Sequence, residues 1–376
     1  MLAAIGRFFK KTLSVLDPTL TVCALVLSAI GMVTLIGGAE HFERFGWRNI
    51  FVQLGAIVAG FVLMVVLAHL DYRFLSQRLW PLFYGLSLLL MILLLIDGSV
   101  AGTNKSWLYL DFLPFGIQPS EVIKTALALT FAQHLSRVKE RINRPAVLAG
   151  LAVHAGLIIG LILLTGDLGV ALVFVGFVLL MLFCAGLSPW YLAGLGVLVA
   201  VAFPLLWGML ETYQQNRILV GFRPELDPLG YGYQPLLSRD AIMAGSWLGQ
   251  GVGGGEVYQS LPASHTDFIF ATVCEKLGIV GGLLVLAALL VLVVRMMRIA
   301  ARSERETGAY LCVGLAACLV VQVVENIGMC FAVLPVVGIT LPLVSYGGSS
   351  VLATYLMLGM AQSVNAHRNR SSGIWS

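Results

Sequence analysis

Ten separate runs of mostly apolar residues divide this sequence, near residues 19–39, 48–68, 80–96, 119–136, 145–164, 169–186, 189–209, 266–294, 308–334 and 345–366. Roughly 20 such residues suffice to cross about 30 Å of hydrocarbon as a helix. Lipid offers no partner to a free N–H or C=O, so segments of this kind must satisfy their own backbone. Composition agrees: of 376 residues, 59% are hydrophobic and 11% charged, against about 25% charged in soluble domains. So few charges cannot cover a water-facing surface, which excludes a soluble domain. The expected fold is an all-α polytopic membrane protein of about ten transmembrane helices. It forms one integral membrane domain over 1–376, with a large extracytoplasmic loop at 210–265 between spans seven and eight.

Charge sets the expected orientation. With the N-terminus cytoplasmic, 15 of the 23 basic residues fall inside: Arg7, Lys10, Lys11, Arg73, Arg78, Arg137, Lys139, Arg141, Arg144, Arg295, Arg298, Arg302, Arg305, Arg368 and Arg370. Six fall outside (Arg44, Arg48, Lys105, Arg217, Arg223, Arg239), while Lys124 and Lys276 lie at membrane depth. Excess Lys and Arg marks the cytoplasmic side, so both termini are expected there. The first apolar run follows basic residues with no small-residue cleavage site, which reads as a retained helix rather than a signal. Six cysteines sit in apolar runs without CxxC spacing, as buried small hydrophobes do. The loop over 210–265 carries nine glycines together with Tyr213, Phe222, Tyr231, Tyr233, Trp247 and Tyr258. That aromatic content predicts an ordered segment on or in the outer membrane face, since loops this long are functional or disordered.

Ionisable groups in costly places are the candidates for chemistry. Glu121 and Lys124 share one face at the head of the fourth run, after Gln118-Pro119-Ser120. They are either a local ion pair at a helix start or groups facing a pathway. Asp267, in Ser264-His265-Thr266-Asp267, stands at the rim of the eighth run. Partial desolvation there makes a carboxylate a better base; the rival reading is a helix cap. His265 and Asp267 alone are weak as a zinc site. A loosely held magnesium or manganese shared with phosphate fits such a pair better, and no organic cofactor is expected. Gly249-Gln250-Gly251-Val252-Gly253-Gly254 matches GxGxxG, but without the strand–helix context of a dinucleotide site. Turn-making is its simpler role. Asp167, in a short turn between two runs, either caps the sixth helix or faces a central cavity. Glu325-Asn326 and the Pro/Gly-broken stretch from Pro335 to Gly348 also need burial in protein or a cavity wall. Together they predict a polar cavity opening outward.

Several blocks resemble the SEDS family, the group of RodA, FtsW and the sporulation homologue. They are Gly116-Ile117-Gln118-Pro119-Ser120-Glu121 with Lys124; Tyr213-Gln214 with Arg217; Asp227-Pro228-Leu229-Gly230 with Gly232-Tyr233-Gln234; Leu261-Pro262 with His265 through Ala271; and Leu334-Pro335-Val336-Val337-Gly338 running into Pro342 through Ser349. The resemblance implies ten helices in the bacterial cytoplasmic membrane, with an active site facing outward. It also implies a glycosyltransferase that polymerises lipid II on undecaprenyl diphosphate, with Asp267 as the essential carboxylate. Lys124, Glu121, Arg217, Arg223, Lys105, His265 and Asp167 are the expected substrate-binding residues. The expected partners are a class B penicillin-binding protein acting as transpeptidase, lipid II with its polymeric glycan product, and membrane lipids; no nucleic acid is expected. Short tails and Asp17-Pro18 lean towards the elongation branch, with division and sporulation roles as alternatives. Lys105-Ser106-Trp107, Gly166-Asp167, Ala263 and Glu275-Lys276 depart from the family's usual residues. Two other classes fit much of the composition. A flippase or transporter would use the intramembrane charges as a path, and a scaffold would leave Asp267 as a cap.

Overall fold

The computed structural model describes residues 15–40, 46–101, 104–109 and 116–368. Arg7, Lys10, Lys11, Arg44 and Arg370, which enter the charge count above, lie outside the described residues. In chain order the described elements begin with α1 (Pro18–Gly38), α2 (Trp47–His69), the short α3 (Tyr72–Gln77) and α4 (Trp80–Asp97). A small antiparallel pair follows, β1 (Ser99–Ala101) and β2 (Asn104–Trp107), then α5 (Pro119–Val138), α6 (Pro145–Leu164), α7 (Leu168–Cys184) and α8 (Pro189–Met209). Beyond these come α9 (Thr212–Phe222), α10 (Tyr233–Ala244), α11 (Val257–Ser260), α12 (Ile269–Ala301), α13 (Glu306–Cys330) and α14 (Gly348–Ala366). The molecule is a polytopic helical membrane protein. Six helices, α1, α2, α4, α6, α12 and α13, are long and apolar enough to cross a bilayer.

Helix starts follow local chemistry. Proline opens α1, α4, α5, α6 and α8 in the first turn, where its missing N–H is no loss. Asp17 caps α1 by accepting from Leu20 N at 3.1 Å, and Arg295 of α12 pairs with the same carboxylate. The hub is α13. Its most apolar stretch is 72% buried, against 17–39% for the other five candidate spans, and it packs on α5, α7 and α12. Small residues on it (Gly314, Ala316, Ala317, Cys318) let neighbouring backbones approach, as membrane helices require. α2 packs chiefly on α14, and α1 on α12.

Between α8 and α12 the chain is helical and turned rather than extended. α9 opens with a capping box, in which Glu211 and Gln214 satisfy each other's backbone N–H groups, a reciprocal arrangement that fixes a helix start. α10 packs on α12. α12 itself is broken at Gly278, whose φ of 71° is a left-handed value that glycine adopts without strain. The backbone groups around that break pair with the glycine-rich turn: Gln250 N donates to Glu275 O, Gly251 N to Lys276 O, and Ile279 N to Ser246 O. The GxGxxG match is therefore a close backbone approach, with Gly249 lying against the Lys276–Gly278 peptides.

Candidate active site

Three loops build the site. The first is the turn from Leu261 to Phe268 that leads into α12. Ala263, at φ 55°, accepts through its carbonyl from Thr266 N and Phe268 N. The turn is anchored where Thr272 Oγ1 donates to Ser264 O at 2.8 Å. Further along, the Glu275 carboxylate accepts from Val257 N and Tyr258 N, both at 2.8 Å. Buried Lys276 donates to the carbonyls of Gly37, Val252 and Gly254 and lies 4.0 Å from the Tyr258 ring centroid.

The second loop runs from Phe331 to Gly347, and it holds the first by its backbone. Three consecutive carbonyls are captured: His265 O by Tyr346 N at 2.9 Å, Thr266 O by Ser345 Oγ at 2.6 Å, and Asp267 O by Asn326 Nδ2 at 2.7 Å. Asn326 also donates to Ile339 O at 2.6 Å, so one amide joins both loops. Gln53 of α2 closes the far side, donating to Ser345 O and accepting from Gly347 N. With its peptide fixed on both sides, the Asp267 carboxylate has little freedom to leave the cavity, the preorganisation that catalysis needs.

The third loop is the α6–α7 turn. Asp167 caps α7 through Val170 N at 3.1 Å and accepts from Ser106 Oγ at 3.1 Å. It therefore both caps the helix and faces the cavity, and β2 is tied alongside by Lys105 N donating to Thr165 O. Burial pushes Asp167 above the usual carboxylate range, against the pull of its Val170 and Ser106 hydrogen bonds.

These loops enclose a cavity of about 420 Å³ lined by Ser106, Gln118, Asp167, Arg217, Asp267 and Tyr346, among others. Asp267 does not cap α12: its N-cap position is Phe268 and no side chain caps it. Burial raises the Asp267 carboxyl from 3.8 to about 6, with Thr266 and Arg217 pulling it down and Asp167 pushing it up. Arg217, carried by α9, is aimed by donating to Val336 O at 2.7 Å. Arg217 lines the cavity with Asp167 and Asp267 and acts on both by charge, and a guanidinium there suits a phosphate-bearing ligand.

The other expected site residues divide. Glu121 and Lys124 pair at 2.7 Å and are 5% and 2% exposed; neither lines the cavity, and the Lys124 charge reaches Glu325 on α13. The His265 ring turns towards Tyr346, at 5.9 Å between centroids, and burial lowers its pKa to about 4, so it is neutral near pH 7. Lys105 reaches back to Leu95 O and Arg223 is exposed after α9; neither lines the cavity. Gln53 carries no signal in the sequence, and although Asn326 reads there as a buried polar group and Ser345 falls in a motif block, nothing local shows which carbonyls they bind. Only the motif blocks around Gln118 and Ser345 marked that ground. Among the described residues no three His, Cys, Asp or Glu side chains converge as a metal site. The carboxylates that line the cavity are Asp167 and Asp267.

Known proteins resemble this chain in sequence and in fold. The FtsW/RodA/SpoVE family model, described as a cell cycle protein, matches residues 17–370. Peptidoglycan glycosyltransferase MrdB of Escherichia coli is 36% identical over 364 residues, 95% of each chain. A probable peptidoglycan glycosyltransferase FtsW of Geobacter metallireducens is 32% identical over 359 residues, 93% of this chain and 94% of that one. Among solved structures, one reported as showing structural coordination of polymerization and crosslinking by a peptidoglycan synthase complex superposes with a TM-score of 0.82 at 33% identity, over 94% of this chain and 99% of that chain. The rod shape determining protein RodA of Thermus thermophilus gives 0.70 at 28% identity, over 94% and 98%. With a family match over nearly the whole chain and relatives this similar along their own full length, the chain belongs to the FtsW/RodA/SpoVE family of cell cycle proteins.

Proposed function

We propose that this protein is a peptidoglycan glycosyltransferase that polymerises lipid II, with Asp267 as general base. The observation that carries the reading is a carboxylate freed from helix capping, raised to about 6 by burial, and held by its own peptide beside an arginine. The acceptor sugar hydroxyl gives its proton to Asp267 as its oxygen bonds to the donor anomeric carbon. The bond from that carbon to the donor's diphosphate breaks, and its electron pair leaves with the diphosphate. Arg217 faces the charge that develops there, where a preorganised cation acts most strongly. Asp167 fixes the α7 turn and, with Ser106, orients the sugar; Glu121, paired with Lys124, acts on Asp167 by charge from outside the cavity. A magnesium or manganese ion held by a cavity carboxylate and diphosphate oxygens would neutralise the leaving group further.

All ten helices of 17 residues or more among the described residues cross the bilayer in this reading. Both termini are cytoplasmic, and 210–265 and the cavity face outward. The chain is one domain and works beside a class B penicillin-binding protein, as suits a relative of a synthase complex that couples polymerisation to crosslinking. Similarity to MrdB supports an elongation role, with FtsW-type division as the second reading at 32% identity. The test is polymerisation of labelled lipid II by wild type and by Asp267→Asn, each with the partner transpeptidase. Long strands from wild type and none from a folded variant are expected; equal strands would make Asp267 structural, and none from either would favour a transporter or scaffold.

A further inference from the structure

The polymerisation reading needs two lipid-linked substrates at one carboxylate, and the cavity wall is flanked by two apolar hollows, each headed by an arginine. The first, about 110 Å³, lies among Leu168, Leu172, Ile218 and Pro335 and shares Arg217 and Val337 with the cavity. The second is an open groove of about 650 Å³ on α2, with Arg48, Phe51, Gly55 and Ala59 on one side and Leu352 of α14 on the other. Its α2 residues recur at 48, 51, 52, 55, 56 and 59, one stripe of a helix. At 1.5 Å per residue that stripe is about 16 Å long, close to one leaflet's half of the roughly 30 Å hydrocarbon.

The groove joins the cavity through a shared wall. Tyr346, Gly347 and Ser350 line the cavity while Leu352, half a turn further on, lines the groove. Gln53, between groove residues, binds Ser345 O and Gly347 N. The Arg48 charge reaches the Tyr346 phenol. Arg48 is exposed and meets no carboxylate among the described residues.

We propose that the Arg48 groove seats the acceptor, a polyprenyl diphosphate-linked disaccharide, while the Arg217 side holds the donor. Chemistry separates the two. The donor's diphosphate is the leaving group, so its cation must stand at the reacting carbon, and Arg217 lines the cavity beside Asp267. The acceptor's diphosphate stays intact, a disaccharide's length from the attacking hydroxyl. Its cation therefore belongs at the outer end of a neighbouring groove, where Arg48 stands.

The proposal rests on the polymerisation reading, so its test includes occupancy without turnover. A photo-crosslinking residue replaces Phe51, or Leu283 on the lipid-facing side of α12 as control, in full-length Asp267→Asn protein with its partner. The vesicles contain phosphatidylethanolamine and phosphatidylglycerol with labelled lipid II. Lipid II capture at position 51, well above position 283 and lowered by Arg48→Ala, is expected. In the active protein, Arg48→Ala should raise the half-saturating lipid II concentration about tenfold, with partial rescue by Arg48→Lys, whereas Arg217→Ala should chiefly lower the maximal rate. Capture of phospholipid alone, or equal lipid II capture at 51 and 283, would overturn the groove assignment. A wild type that captures lipid II at 51 but makes no polymer would instead sink the glycosyltransferase reading.

Discussion

Asp167 and Asp267 occupy matching places, each in a tight turn just before a long helix, and each faces the same cavity. Their carboxylates differ in occupation. Asp167 holds the first turn of α7 and accepts from Ser106, so its charge is shared with backbone and hydroxyl donors. Asp267 leaves α12 uncapped and is held instead through its carbonyl. A carboxylate fixed by its peptide is spared helix capping, and its local side-chain partner is the Thr266 hydroxyl. Position before a helix therefore says little about role; the destination of the hydrogen bonds says more.

The largest expected contrast comes from the matched pair of substitutions. Asp267→Asn should lower polymerisation by about 10²–10⁴-fold, the usual range for a lost general base. Asp167→Asn keeps a capping group and should lose only several-fold, while Asp167→Ala should also lower thermal stability by about 1 kcal/mol, the worth of a cap. Equal losses at both positions would erase the distinction. Next, Asn326→Leu removes both amide bonds that hold Asp267 O and Ile339 O. A displaced base should lower the maximal rate by about 10–100-fold, with co-purification of the transpeptidase unchanged.

The pH profile sharpens the same comparison. Asp267 acts as a base only when deprotonated, so the rate should fall about tenfold per pH unit below about 6. Its folded value lies above 3.8, so its contribution to stability is greatest in acid and declines as pH rises from about 4 to 6. An acidic limb in rate, without loss of the folded state by circular dichroism, would therefore be titration and not unfolding through this group. The smallest effect is expected at Lys105→Ala and Arg223→Ala, within about twofold, because neither lines the cavity and surface charges contribute little.

Much of this was legible in the sequence. The ten apolar runs coincide with the ten long helices to within a few residues at most ends, because hydrocarbon length and proline starts are local properties. The largest disagreement is at the inner end of the eighth helix, which runs on to Ala301 past the last apolar residues because Arg295 and Arg298 end the apolar run without ending the helix; smaller ones fall at irregular backbone, where the same helix begins at Ile269 and the ninth ends at Cys330. Asp267, Asp167 and Arg217 meet in one cavity; motif blocks far apart in sequence carry Asp267 and Arg217, whereas the short turn at Asp167 is readable either as a cap or as a cavity residue. Lys105 and Arg223 do not join them, since charge alone carries no direction. Nor could any local pattern show that Asn326, Ser345 and Tyr346 would grasp three successive carbonyls 59–81 residues away. Such bonds depend on how α13 and the following loop fold back over the α12 entrance.

The burial of α13 also sets a timetable for making the protein. Its principal neighbours α5 and α7 leave the ribosome well before it does, and 167 residues separate the end of α5 at Val138 from the start of α13 at Glu306. At about 5–20 residues per second, α5 waits roughly 8–33 s before its main companion begins to be synthesised. During that interval Glu121 and Lys124 have each other, since their pair lies within one helix, whereas Gln133 meets Thr307 only once α13 arrives. A charged pair formed inside α5 thus makes the early helix tolerable to lipid, and the hub can come late.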